Sequence, residues 1–329
     1  LSVRRAFLGA SFTTYVSKHG SSDAIIDNWF GSSSLYGWDT QWGCLDRIPI
    51  LLKNPEPLSS MGVEFSVYDV DVELELIGSE SDYMGKILEG LDGVSPQDSW
   101  IVTAKPGRYL VRGGACSFLR MLASKSAAVK VFDELRLIRG RDGVIVTANT
   151  VTKCSEGIVS TMPLDYVARK AGYRNPPQPP YASLYVTLAI INTKHASGKV
   201  GVKLLGKRRY SSLLIVSVPA EALLPRLEAS EEVLVVYALT VLRSGRIDPS
   251  VRQKTLSDLK RLGYDVRSAS LIRCHFEKYG ILGQANKAVE DLKNYVTEQR
   301  VKPAGRLGLW RELSVEDALR LARCGSSGD

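Results

Sequence analysis

The sequence is poor in the side chains that hold metals: its 329 residues include three histidines and five cysteines, with no CxxC pair. Zinc ligands normally come in pairs about two to five residues apart. Cys44, Cys116, Cys154, Cys274 and Cys324 are scattered instead, which argues against a metal site and for free thiols in a reducing compartment. Long apolar runs are missing as well. Leu184 to Ile191, the longest candidate, covers under half of the ~18–20 residues that a membrane helix needs, so no transmembrane span is expected. The apolar stretch near the N-terminus is short for a secretory leader and is interrupted by Gly9 and Ser11. A cytoplasmic protein is expected. No GxGxxG loop, whose amides would cradle a dinucleotide phosphate, occurs in the sequence. Gly201 to Arg208 nearly spells a P-loop, but Arg208 stands where a hydroxyl should hold magnesium. Strand-forming residues follow it where a helix is required, so a basic hairpin is the better reading.

What is present describes an ordinary folded chain. Hydrophobic residues make up 44% and charged residues 24%, and the length suits about two domains of ~100–200 residues each. Lys and Arg number 43 against 35 Asp and Glu, a net charge of +8 that suits an anionic ligand. A single basic cluster with an aromatic beside it, Lys207-Arg208-Arg209-Tyr210, is weak ground for a nucleic-acid surface, and no nucleic-acid partner is expected.

Along the chain, residues 1–60 are rich in Ser, Gly and Trp, with Ala24 to Phe30 as one short expected helix. Val63 to Ile77 alternates apolar and acidic residues as a half-buried strand does. A helix is expected over Ala115 to Ser124, followed by strands Ala128 to Ile138, Val144 to Ala148 and Gly157 to Thr161, the last stopping at Pro163. The run Asn175-Pro176-Pro177-Gln178-Pro179-Pro180 reads as a boundary or hinge. Beyond it come expected strands near Leu184 to Ile191, Lys199 to Leu205, Ser212 to Val218 and Val233 to Leu239. A helix from Pro249 to Leu262 with Ser250 as its cap, a strand Ala269 to Cys274, and helices from Ala285 to Glu298 and from Ser314 complete the reading. His275 beside Cys274 reads as a packed residue, and no histidine or carboxylate stands out as a catalytic acid or base.

The sharpest local signal is Gly305-Arg306-Leu307-Gly308-Leu309-Trp310-Arg311, followed by Ser314 and Asp317 in the spacing of a capping box. A helix starting at Ser314 would turn the positive end of its dipole toward the glycine turn, and Gly305 and Gly308 would let a ligand approach the backbone.

This string and its helix resemble the C-terminal flavin-contacting motif of the FAD-dependent family that includes UDP-galactopyranose mutases, protoporphyrinogen oxidases and amine oxidases. Tyr109 to Gly114 with the helix after it is similar to the family's Gly-Gly helix. Leu135-Arg136-Leu137-Ile138 resembles the strand whose apolar residue packs by the adenine, and Ile158 to Leu164 resembles the family's crossing into the substrate domain. Phe276 to Ile281 sits where the family carries a Tyr-Pro-type segment. These pieces, in the right order, cover about residues 105–324.

The resemblance implies an α/β (α+β) fold: an incomplete Rossmann-like FAD-binding domain of discontinuous segments, 105–165 and 276–329, with a mixed-sheet substrate domain, 166–275, and an irregular region, 1–104. It implies FAD held by Gly113, Gly114, Leu135, Thr161, Pro163, Gly305, Arg306, Gly308, Trp310 and Ser314, and a small-molecule substrate at Tyr279 and Arg311. The family's glycine-rich βαβ unit is missing and the chain opens on Leu1. A truncated or split form is therefore expected, with a separate polypeptide supplying that unit and FAD bound weakly or not at all by the isolated chain. An oxidoreductase, a sugar-nucleotide mutase and a degenerate binding subunit are the three readings.

Overall fold

In a computed structural model, the described residues are 12–16, 24–27, 51–52, 54–59, 64–68, 70–75, 109–114, 128–132, 135–147, 151–154, 157–192, 199–205, 210–212, 214–223, 233–242, 250–269, 271–283 and 285–311. The early elements are β1 (Phe12–Val16), β2 (Ala24–Asp27), β3 (Leu51–Leu52), the single turn α1 (Glu56–Ser59), β4 (Phe65–Val67), β5 (Val70–Glu75) and β6 (Tyr109–Val111). β7 (Ala128–Phe132), β8 (Leu135–Arg139), β9 (Val144–Thr147), β10 (Val151–Lys153), β11 (Ile158–Ser160) and α2 (Leu164–Lys170) follow. Next come β12 (Tyr181–Asn192), β13 (Val200–Leu205), β14 (Leu214–Pro219), α3 (Ala220–Leu223) and β15 (Val233–Leu242). The last are α4 (Ser250–Arg261), β16 (Leu271–Leu282), α5 (Lys287–Glu298), β17 (Val301–Pro303) and the short α6 (Gly305–Gly308).

The chain divides into two units, one of residues 1–43, 119–181 and 282–329 and the other of 44–118 and 182–281. In the first, β17, β11, β2, β1 and β7 form a five-stranded sheet in that order. β2, β11 and β17 run parallel, with Ile158 level with Ala24 on one side and Val301 on the other. β8, β9 and β10 make a separate antiparallel sheet, whose β8–β9 turn meets the end of α5: a Cβ on Gly140 would collide with the Gln299 carbonyl. Arg141 Nε donates to the Glu298 carbonyl at 3.3 Å, placing a cation at the carboxyl end of α5 where the helix dipole favours one.

The second unit is built on the sheet β16-β12-β15-β14-β13-β5. β12 and β15 pair antiparallel from Ser183–Leu242 to Asn192–Val233, and β12 is buried almost throughout, so it reads as a continuous apolar run and not as an alternation. Ala189, Ile191, Leu205, Ile215, Leu234, Val236 and Ala238 form a core closed by Leu259 of α4. Two polar contacts fix that helix in register. Asp258 Oδ2 accepts from the Ser211 and Ser212 amides at 2.8 and 2.7 Å, and the Thr240 and Thr255 hydroxyls meet at 3.1 Å.

Several sequence expectations are corrected. Ala24 to Asp27 is a strand, not a helix: Ile25 and Ile26 are β-branched, and their backbone pairs with β11. The expected strand Val63 to Ile77 is two, β4 and β5, in different sheets, because alternation continues across a break and does not mark it. Ala128 to Ile138 likewise divides into β7 and β8. Helix α2 after Pro163 was not anticipated, nor was β17. Ser250 is the first residue of α4 and not its cap. Gly201 lies inside β13, so the P-loop look-alike begins as strand. The helices expected over Ala115 to Ser124 and from Ser314 lie outside the described residues, as does the Lys207–Arg209 cluster.

Replacing Asp258 with Ala strands two buried or half-buried amides, and the expected loss is about 3 kcal/mol, measurable as a lower urea midpoint. Asp265→Ala, which removes an exposed cap on the Arg267 amide, should cost about 1 kcal/mol or less.

Candidate functional site

In open α/β sheets ligands bind at the carboxyl ends of parallel strands. Here the carboxyl ends of β2, β11 and β17 fall on one edge: Ile26 and Pro303 are both level with Ser160. Asp27, Thr161 and Ala304 therefore follow one another across that edge. The Ala304 amide donates to the Ser160 carbonyl at 2.8 Å, carrying the pairing one residue past β17, and the Met162 amide donates to Ser160 Oγ at 3.3 Å.

The chain then turns. Gly305 takes φ +67, which a side chain strains to adopt, and α6 closes with the Leu309 amide on the Gly305 carbonyl and the Arg311 amide on the Arg306 carbonyl, both at 3.0 Å. The two motif glycines have a packing reason. A Cβ on Gly305 would lie 3.3 Å from Thr161 Cβ, and one on Gly308 would lie 2.6 Å from the Ser160 carbonyl. They let the turn sit directly on the end of β11, whether or not a ligand approaches.

Trp310 ends the turn at φ +49, a left-handed conformation that costs a bulky residue roughly 1–3 kcal/mol. It is among the largest fully buried side chains, at 2% exposure. Burying ~200 Å² of indole is worth about 5 kcal/mol as an upper figure, so packing outweighs the backbone cost. The ring is an anchor for the turn and is enclosed by protein. Arg306 is half-buried within α6, while Arg311 is exposed.

The sequence reading overlooked what holds Trp310 from outside. Tyr181, the first residue of β12, meets it edge to face, ring centroids 6.5 Å apart at 72°. Gln178 Nε2 donates to the Tyr181 hydroxyl at 2.7 Å. Burial, and then the Asp165 carboxylate nearby, hold the Tyr181 phenol above its ordinary 10.0, with the Gln178 hydrogen bond acting the other way. Asp165 is itself buried in the first turn of α2.

The first unit thus brings together Thr161, Pro163, Gly305, Arg306, Gly308, Trp310 and Arg311. Pro163 is buried at the position before α2. Leu135 opens β8 in the same unit at 0% exposure, fully enclosed. Gly113, Gly114 and Tyr279 belong to the other unit. The two glycines take φ +73 and +63, and the Gly113 amide donates to the Ala222 carbonyl at 2.8 Å. Tyr279 is buried on β16, where Lys278 Nζ donates to its hydroxyl at 2.9 Å and sits 4.6 Å from its ring centroid. Ser314 lies outside the described residues. Among the described residues no cluster of His, Cys, Asp and Glu is suited to a metal ion, no helix is long and apolar enough to cross a membrane, and Cys154 is buried and forms no disulfide.

No protein-family model matches the sequence, and no curated protein does. Solved structures do. Reduced UDP-galactopyranose mutase is similar over 63% of this chain and 49% of its own, with TM-score 0.52 and 12% identity. A protein from Exiguobacterium sp. 255-15 assigned as a protoporphyrinogen oxidase has TM-score 0.47 and 15% identity over 66% of this chain and 52% of its own. An oxidoreductase from Methanosarcina mazei has TM-score 0.44 and 13% identity over 87% and 84%. The chain shares its fold with reduced UDP-galactopyranose mutase. The chain spans about half the length of the first two structures.

Two outcomes follow. Gly308→Ala, forced against the Ser160 carbonyl, should cost about 2 kcal/mol in thermal or urea unfolding. Because the Tyr181 phenol is held above 10.0 in the folded state, its contribution is present below that pH and lost as pH rises through the folded value. Stability should fall as pH is raised past 10, and Tyr181→Phe should flatten that fall.

Proposed function

We propose that the chain is the ring-contacting and substrate-binding part of an FAD-dependent oxidoreductase-type flavoprotein, with a separate polypeptide supplying the glycine-rich phosphate-binding unit. The observation that carries this reading is the seat of the Gly305–Trp310 turn on Ser160 and Thr161 at the carboxyl edge of three parallel strands, within a fold shared with UDP-galactopyranose mutase.

The residues present fit one end of FAD. Arg306, a permanent cation at that edge, suits the negative charge that a reduced flavin carries on its pyrimidine edge, and Ser314 would add the start of the following helix. They do not fit the pyrophosphate, for which no glycine loop exists in this sequence. Bound FAD would supply the redox or nucleophilic chemistry. This chain would orient the ring and hold charge, with Arg311 toward a small-molecule substrate.

A second reading is a sugar-nucleotide mutase, favoured by the likeness to UDP-galactopyranose mutase and by Arg306 and Arg311 as cations for a diphosphate. The two separate by electron balance: a mutase needs reduced flavin without net turnover of electrons, whereas an oxidase consumes an acceptor. A degenerate binding subunit, which the missing glycine loop would suit, turns over neither.

The test is a flavin titration of the isolated chain followed by fluorescence. The purified chain should carry little FAD and bind it weakly, and Arg306→Ala should weaken that binding about tenfold. Stoichiometric FAD retained by the purified isolated chain, or an unchanged affinity in Arg306→Ala, overturns the proposal.

A further inference from the structure

The proline-rich run before β12, read from the sequence as a boundary, ends on the residue that contacts Trp310. We propose that Tyr181 is a positioning residue that locks Trp310, and through it the Gly305–Arg306 turn, into the conformation described here. As a statement about flavin binding this rests on the proposed function; as a statement about the turn it stands alone.

Trp310 is held at φ +49, a conformation that persists in a bulky residue only where surrounding contacts over-determine it. The indole is gripped at one edge by the Tyr181 ring. Tyr181 has little freedom in turn. Pro176, Pro177, Pro179 and Pro180 restrict the approaching backbone, the Pro180 carbonyl accepts from the Gly283 amide at 2.7 Å, and Gln178 holds the hydroxyl. A Cβ on Gly283 would lie 2.6 Å from the Pro180 ring, so the start of β12 cannot drift that way. The restraint runs from Pro180 and Gln178 to Tyr181, to Trp310, to the turn carrying Arg306.

Arg306 and Arg311 give the turn its own reporter, since trypsin cuts after either once the backbone is free to open. Limited proteolysis of the full chain should show cleavage at these arginines about tenfold faster in Tyr181→Leu. Tyr181→Phe, which keeps the ring but loses the Gln178 hydrogen bond, and Gln178→Leu, at an exposed position, should each give about a threefold increase. Circular dichroism and thermal unfolding establish that each variant is folded; should Tyr181→Leu not fold, the Gln178→Leu arm decides. Unchanged cleavage in the deciding variant, or equal acceleration in Tyr181→Phe and Tyr181→Leu, overturns the proposal. FAD added to the same proteins separates the two claims. Weaker flavin binding in Tyr181→Leu, restored in Tyr181→Phe, supports both. Accelerated cleavage in Tyr181→Leu with flavin binding equal to the parent's supports the positioning role and overturns its bearing on flavin.

Discussion

The close seating of a turn on the end of a strand organises the first unit. Gly305 and Gly308 have no Cβ, and the space that a Cβ would take is filled by Thr161 and the Ser160 carbonyl. That contact brings residues 160 and 305 together although nearly half the chain lies between them, and it sets Arg306 at the carboxyl edge of β11 and β17. A side chain at either glycine would lift the turn off the sheet. The same geometry explains why a bulky residue tolerates a left-handed backbone at Trp310: its ring is buried at the one place where the turn can close.

The second unit solves a different problem. Its long antiparallel strands are apolar on nearly every residue, so periodicity alone does little to fix the register of the covering helix. Asp258 and Thr255 supply that specificity, each reaching a defined polar partner in an otherwise apolar layer. An apolar face slides at little cost, whereas a buried polar group that slides loses its partner.

Much of this was legible in the sequence where signals are local. α5 appears within two residues of its expected start, its cap Asn286 accepting from the Val289 amide, and the strands after residue 180 follow from their apolar runs. The glycine spacing of Gly305–Gly308 reflects a packing demand against Ser160 and Thr161, which is why that motif stands out locally. Other features were not legible. β2 is illegible because a strand of four residues carries too few positions for a period, and one of its two partners, β11, lies more than a hundred residues away. α2 carries signals of its own, with Pro163 before it, Asp165 in its first turn and Arg169 and Lys170 at its end. Tyr181 left no local sign of its role, since its contact is with a residue far along the chain.

The parallel pairing of β5 with β13, Val70 level with Val200 and Glu75 with Leu205, has a consequence for synthesis. β5 leaves the ribosome long before β13, the strand on which it docks among the described residues. During that interval its amides and carbonyls are open to other chains, and closing so long a loop is slow. The acidic residues interleaved through Val70–Glu75 are the sort of charge that discourages association with a neighbouring nascent chain while the strand waits.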